Sequence, residues 1–290
     1  MQRKKVLWLG WGRLARLAEA ELDSVIELYS VARSPAERER HICADLSQES
    51  GVEEVLSCKP DVIIFTMSPD LRGEEAYRQS YLYPLQKVLQ ALEIQGLSPF
   101  VLCVSSSSVW GSGQGPVLSE LLEAKPDKPT AKVLLEMEQQ LRQSDLAHCI
   151  VRFSGIYGDY RFHLIRQVEA AKPGLLRWTN RIHEQDAAAV LVFLVKRKLS
   201  ASYLPSLLVA SDMRPCLSSE IQAYIAESLG LDGYGEGCAK AGAELDKPKE
   251  RRIDNSLLCS LAYEFRYKSY RDAYAVILQQ YKDQLRSKAP

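Results

Sequence analysis

As far as Phe153 the chain alternates short apolar runs with longer amphipathic stretches. Val6–Leu9, Val25–Val31, Ile42–Ala44, Val62–Thr66, Val101–Ser105 and Cys149–Phe153 are brief and apolar on both faces, the pattern of strands covered by helices on each side. Between them Leu14–Leu22, Ser50–Leu56, Glu74–Glu93 and Thr130–Gln143 are predicted helices. In the third, Leu82, Leu85, Val88, Leu89 and Leu92 recur at three- and four-residue spacing, which turns one apolar stripe toward a sheet. This alternation predicts an α/β chain with a doubly wound parallel sheet.

After about residue 155 the pattern loosens. Phe162–Ala171, Asp186–Val195, Ser218–Leu229 and Arg271–Leu285 are predicted helices, and Leu207–Ala210 one more strand. The stretch Gly230–Gly242, with five glycines, is predicted to be a loop. Too few strands remain for a second independent sheet. The expected organisation is therefore a core of residues 1–157, with residues 158–290 forming a small mixed cap whose helices return to it.

The length, 290 residues, is enough for a full core, and 46% hydrophobic and 26% charged residues are ordinary globular values. The 37 basic and 37 acidic side chains cancel, which argues against a nucleic-acid partner. No run approaches the roughly 18–20 apolar residues of a membrane span. The basic start Arg3-Lys4-Lys5 is followed by only four apolar residues before Gly10, so a buried first strand is a better reading than a secretion signal. The seven cysteines are scattered with no metal-binding or paired spacing, which predicts neither a metal site nor a disulfide framework and fits reduced thiols in a cytoplasmic protein.

The first strand runs into Gly10-Trp11-Gly12-Arg13-Leu14-Ala15, a G-x-G-x-x-A turn opening a helix. Gly10 permits the tight turn, Gly12 lets backbone N–H groups approach a pyrophosphate, and Ala15 lets the helix pack close to the strand. In this context the pattern predicts a Rossmann dinucleotide site; a plain Gly-rich turn is the alternative. The end of the second strand selects the cofactor. It reads Ser30-Val31-Ala32-Arg33-Ser34, with a guanidinium and a hydroxyl where an NAD site usually has a carboxylate. That favours NADP, with NAD second, unless Arg33 is simply a solvated loop charge. Asp45, beside Leu46, is placed either to accept from an adenine amine or to cap the following turn.

Four further segments stand out: Val104-Ser105-Ser106-Ser107-Ser108-Val109-Trp110-Gly111, Val151-Arg152-Phe153-Ser154-Gly155-Ile156-Tyr157-Gly158, Asn180-Arg181-Ile182-His183-Glu184-Gln185-Asp186-Ala187-Ala188, and the stretch from Arg251 to Tyr274. Together they resemble the extended short-chain dehydrogenase/reductase family, the group of nucleotide-sugar epimerases and dehydratases and its small bacterial members. The resemblance covers nearly the whole chain in order. It implies a cofactor contact set of Gly10, Trp11, Gly12, Arg13, Leu14, Arg33, Ser34, Asp45, Leu46, Thr66, Ser105, Lys132, Phe153, Ser154, Gly155 and Ile156. It also places Ser106 in the slot of the serine that polarises the substrate oxygen. Lys132 falls in the slot of the lysine that holds the nicotinamide ribose, with Glu136 in support. The family often pairs two long helices into a homodimer; here they would be Glu74–Glu93 and Thr130–Gln143.

The family's acid/base tyrosine is missing. Its slot holds Lys128, and no tyrosine occurs between Tyr83 and Tyr157. A phenol near pKa 10 needs a neighbouring cation to serve as a base at neutral pH, so its loss changes the chemistry. Lys128 itself, Tyr157, Tyr160, His163 and His183 are the candidate replacements, with His163 the first catalytic choice beside Ser106 and Lys132. Ser107, Trp110, Tyr157, Arg161 and His163 are candidate contacts for a small-molecule substrate, though Trp110 suits the cap interface equally well and Tyr157 and His183 also suit purely structural roles. Two functions follow. One is an NADP-dependent oxidoreductase or epimerase-like enzyme that transfers hydride to or from a small carbonyl, imine or sugar-like substrate. The other is a non-catalytic NADP-binding regulatory or scaffold protein.

Overall fold

A computed structural model of the chain describes residues 3–19, 21–22, 26–171, 176–231, 234 and 249–287. The elements in order are β1 (Lys4–Leu9), α1 (Arg13–Glu19), β2 (Ile26–Ala32), β3 (His41–Cys43), α2 (Glu49–Leu56), β4 (Val62–Phe65), α3 (Glu74–Tyr77) and α4 (Tyr83–Ile94). There follow β5 (Phe100–Ser106), β6 (Val117–Leu118), α5 (Pro129–Gln143), β7 (His148–Phe153), β8 (Gly155–Tyr157), α6 (His163–Glu169), β9 (Trp178–Thr179) and β10 (Arg181–His183). The last are α7 (Glu184–Leu199), β11 (Leu207–Ala210), β12 (Cys216–Leu217), α8 (Ser218–Leu229), β13 (Arg252–Ile253), α9 (Ser256–Ser260) and α10 (Tyr270–Ser287). The chain falls into two compact units, one of residues 1–114, 120–153 and 188–209, the other of residues 115–119, 154–187 and 210–290.

The first unit holds a seven-stranded sheet in the order β11-β7-β5-β4-β1-β2-β3. β1 lies parallel between β2 and β4, with Trp8 level with Ser30 on one side and Ile64 on the other. The chain winds outward from β1 through β2 to β3, then back through β4, β5 and β7. The strand order therefore switches between β1 and β4, where open α/β sheets bind ligands. The predicted doubly wound α/β class is the observed one. Val6, Leu7, Leu9, Ile63, Ile64 and Phe65 are buried, as strands covered on both faces require. Leu82, Leu85, Val88 and Leu92 are buried in the same core, with Leu89 packed half-buried against it.

The helix expected over Glu74–Glu93 is interrupted by a π turn at Arg78–Leu82, between α3 and α4. Pro84 supplies the reason. It has no N–H to return to the carbonyl of Ser80, and its ring crowds that turn, so the helix widens there.

The second unit has its own core, in which Tyr157, Phe162 and Ile165 pack with Ile221, Ile225, Tyr270, Tyr274 and Tyr281. Its strands form two-stranded pairs, β8 with β10, β9 with β12, and β6 with β13. Apart from Leu207–Ala210, the strands after Phe153 went unpredicted, because two or three residues cannot display a period. Ser218–Leu229 and Leu207–Ala210 appear with the expected bounds, and Asp186–Val195 extends to Glu184–Leu199. Val25 and most of the glycine-rich Gly230–Gly242 stretch lie outside the described residues.

Candidate active site

The turn after β1 is built tightly. Gly10 has φ +92°, and a Cβ there would stand 2.7 Å from the Thr66 carbonyl oxygen, so both conformation and space demand glycine. The Thr66 hydroxyl lies 3.1 Å from the Gly10 carbonyl, and the Trp8 indole N–H donates to that hydroxyl at 2.6 Å. The backbone N–H groups of Gly10 and Trp11 both donate to the Val31 carbonyl, which ties the turn to the end of β2. Trp11 is held edge-on by Trp8 and covered by the Arg38 guanidinium, 4.3 Å from its ring centre. By contrast, a Cβ on Gly12 would meet nothing within 4 Å.

Gly12 lines a cavity of about 310 Å³ at the switch point of the sheet. Of the anticipated cofactor residues it brings together Gly10, Trp11, Gly12, Arg33, Ser34, Asp45, Leu46 and Thr66. Arg13 and Leu14 open α1 outside its lining. The cavity also recruits residues the motif reading missed: Asp70 from the segment after β4, and Gln79, Ser80 and Pro84 from the π turn and the start of α4. Only Pro84 carried a signal in the sequence, as a break in a helical pattern. Asp45 lines the cavity, and one of its carboxylate oxygens accepts the Ser47 N–H at 2.9 Å, which caps the following turn.

Ser106 ends β5, and its Oγ accepts the Ser108 N–H at 3.2 Å, capping the short 3₁₀ turn Ser107–Trp110. α5 packs against that turn and carries Lys132, exposed, in its first turns. Lys128 is the N-cap of α5 and is likewise exposed. Glu136, expected beside Lys132, pairs instead with Arg78 at 2.9 Å. The charge that the sequence assigns to its helical neighbour is claimed by the π turn.

Two assignments in this unit change on physical grounds. Ser105 is not a free hydroxyl: it is buried and donates to Glu138 at 2.6 Å. Trp110 is fully buried, with its N–H given to the Leu122 carbonyl and the Arg152 guanidinium on its ring, so it has no surface to offer a substrate. Phe153, at the end of β7, is also buried.

In the second unit Ser154 is buried, Ile156 half-buried and Gly155 exposed. Tyr157 is a core residue rather than a substrate contact. It is 6% exposed, stacked on Tyr274 and edge-on to His183, and burial drives its phenol pKa upward. His183 is buried as well. Its Nδ1 accepts from the Gln185 N–H and its Nε2 lies 3.4 Å from Asp159, while burial lowers its pKa. Asp186 accepts from the Tyr263 hydroxyl and the backbone N–H groups of Arg266 and Tyr267, so this motif stitches the unit together. Of the remaining candidates, Tyr160, Arg161 and His163 are exposed, with Arg161 3.8 Å from Glu184.

Asp212 was not anticipated. Burial pushes its carboxyl up to about 7, against the opposing pull of the Arg214 N–H and of Arg181. An acid whose folded pKa exceeds its unfolded value, 3.8, holds its proton more tightly when folded. Its favourable contribution is therefore complete below about pH 4 and is lost as pH rises through about 7. Asp212→Asn, which keeps an acceptor for Arg214, should melt above the wild type at pH 8, with the difference narrowing at pH 5. Thermal melts at the two pH values check this, and an unchanged gap would refute it.

The fold and its glycine-lined cavity define a class: the chain has the fold of the extended short-chain dehydrogenase/reductases, in agreement with the resemblance of its motifs. A structure described as an NAD-dependent epimerase/dehydratase from Methylobacillus flagellatus matches with 25% identity and TM-score 0.79, over 96% of this chain and 99% of that one. UDP-glucuronic acid 4-epimerase from Bacillus cereus, in complex with NAD, matches with 17% identity and TM-score 0.74, over 97% and 99%. The Bordetella bronchiseptica enzyme WbmG, also in complex with NAD, matches with 12% identity and TM-score 0.74, over 97% and 94%. No family model and no curated protein matches the sequence.

Proposed function

We propose that the protein is an NADP-dependent oxidoreductase or epimerase-like enzyme acting on a small carbonyl, imine or sugar-like substrate. The observation that carries this reading is the cavity, where the open face of Gly12 meets Arg33 and Ser34 at the switch point. The residues fit a dinucleotide: Gly12 leaves the room a pyrophosphate needs, and Arg33 supplies the cation for a 2′-phosphate. Structures that hold NAD or UDP-sugars on the same fold support the cofactor class and a sugar-like substrate.

When bound, the nicotinamide supplies or accepts hydride. The chain's own part is to bind and orient. Ser106, whose oxygen already accepts from Ser108, keeps its hydroxyl hydrogen to donate to the substrate oxygen. Lys132 holds a ribose hydroxyl. With Lys128 in the tyrosine slot, proton delivery falls to water, which suits reduction of an activated carbonyl or imine better than sugar epimerisation.

Calorimetric titration of NADPH and NADH tests the reading. Arg33→Ala should weaken NADPH by about 10- to 100-fold, the worth of a charged hydrogen bond, and leave NADH within about twofold. Absence of binding by either cofactor would sink the proposal.

A further inference from the structure

Arg33 already has a partner inside the cavity. Its Nη2 donates to Asp70 at 2.5 Å, and both side chains line the site although they remain 62% and 64% exposed. The backbone beneath Arg33 is fastened from β3. The Cys43 thiol donates to the Arg33 carbonyl at 3.2 Å, and His41 Nε2 donates to the Ser34 carbonyl at 2.9 Å. His41 Nδ1 is 2.8 Å from the Ser30 hydroxyl. A carbonyl can only accept, so the imidazole carries a proton on Nε2. The loop is thus held firmly, while the guanidinium at its tip is held by an exposed ion pair, which is weak.

We propose that Asp70 is a cofactor-specificity residue: Arg33 binds either Asp70 or the 2′-phosphate of NADP, and this competition holds down the preference for NADP over NAD. This inference rests on the dinucleotide reading of the cavity. A phosphate is the stronger claimant, with more negative charge and more acceptor oxygens than one carboxylate. Its binding nevertheless breaks the existing pair and leaves Asp70 charged and unneutralised beside it, with Asp45 also lining the cavity. NAD presents only hydroxyls there. It can bind with the Arg33–Asp70 pair intact.

The test is calorimetric titration of NADPH and NADH into the wild type, Asp70→Asn, Asp70→Glu, Arg33→Ala and the Arg33→Ala/Asp70→Asn double variant. Asp70→Asn should tighten NADPH about tenfold, the scale of one unit charge a few ångströms away near a surface, and change NADH by less than about twofold. Asp70→Glu should keep the wild-type preference. Without Arg33 the gain from Asp70→Asn should fall below about threefold, because no guanidinium is left to release. Unchanged NADPH binding in Asp70→Asn, an equal gain with and without Arg33, or equal tightening of NADH would overturn the competition. Failure of the wild type to bind either cofactor would instead overturn the dinucleotide reading itself. Asp70 is exposed, so melting curves of its variants should match the wild type, and the affinities then report the site alone.

Discussion

Glu138→Ala is expected to remove about 3–5 kcal/mol from the stability of the first unit. The denaturation midpoint measures it, followed by the fluorescence of Trp8, Trp11 and Trp110, which all lie in that unit. Glu138 on α5 is fully buried and accepts from Arg152 through Nε at 2.9 Å and Nη2 at 2.6 Å. Ser105 adds a bond at 2.6 Å and Arg142 one at 3.1 Å. Arg152 is 1% exposed, and its Nη1 has no hydrogen-bond partner among the described residues. Removing the carboxylate leaves an uncompensated cation with only the Trp110 ring against it, 4.8 Å away. Glu138→Gln should lose less, since it keeps an acceptor and the volume. Glu138→Leu combined with Arg152→Met should recover much of the loss, because both desolvation costs disappear together. If the double variant is as weak as the alanine variant, charge compensation is not what the pair supplies. The pair also matters for chemistry. It locks α5, which carries Lys132, to β7, and through the Ser105 bond the same carboxylate ties α5 to β5, which ends at Ser106, and so sets the register of the two residues nearest the proposed reaction.

The parts of this architecture that were legible are those written in local periods. β1, β4, β5 and β7 are short apolar runs, and their burial on both faces follows from composition alone. Gly10 and Gly12 were legible because a strand, a turn and a helix start surround them. What failed were pairings between distant positions. Glu138 reads as one more charge on a polar helix, and only the packing of α5 on β7 reveals that it faces Arg152. Nothing local tells that Asp70 reaches Arg33, or that Arg78 takes Glu136 from Lys132. Trp110 and Tyr157 stayed open between substrate and core for the same reason. An aromatic side chain after a strand is equally suited to a substrate and to a core, and here neighbours from elsewhere in the chain, Arg152 and Tyr274, complete the core.

Gly12→Val should abolish dinucleotide binding, with at least about a 100-fold loss for both NADPH and NADH, and should leave the melting temperature nearly unchanged. The two glycines of the motif differ in kind. At Gly10 a side chain meets the Thr66 backbone at a φ of +92°, so Gly10→Ala must strain the fold before any ligand is considered. At Gly12 the backbone has no such constraint, and a Cβ points into space that holds no protein atom within 4 Å. Gly12 precedes the first residue of α1, so a β-branched residue there costs the helix little. If that space exists for a pyrophosphate, the valine methyl groups occupy the position its oxygens need, close to the backbone N–H groups that would bind them. Calorimetry beside thermal melts separates the cases. A stable variant that no longer binds either cofactor identifies the cavity as the pyrophosphate cradle. A stable variant that binds NADPH as the wild type does would mean that Gly12 is only a turn residue, and the cofactor would have to lie elsewhere.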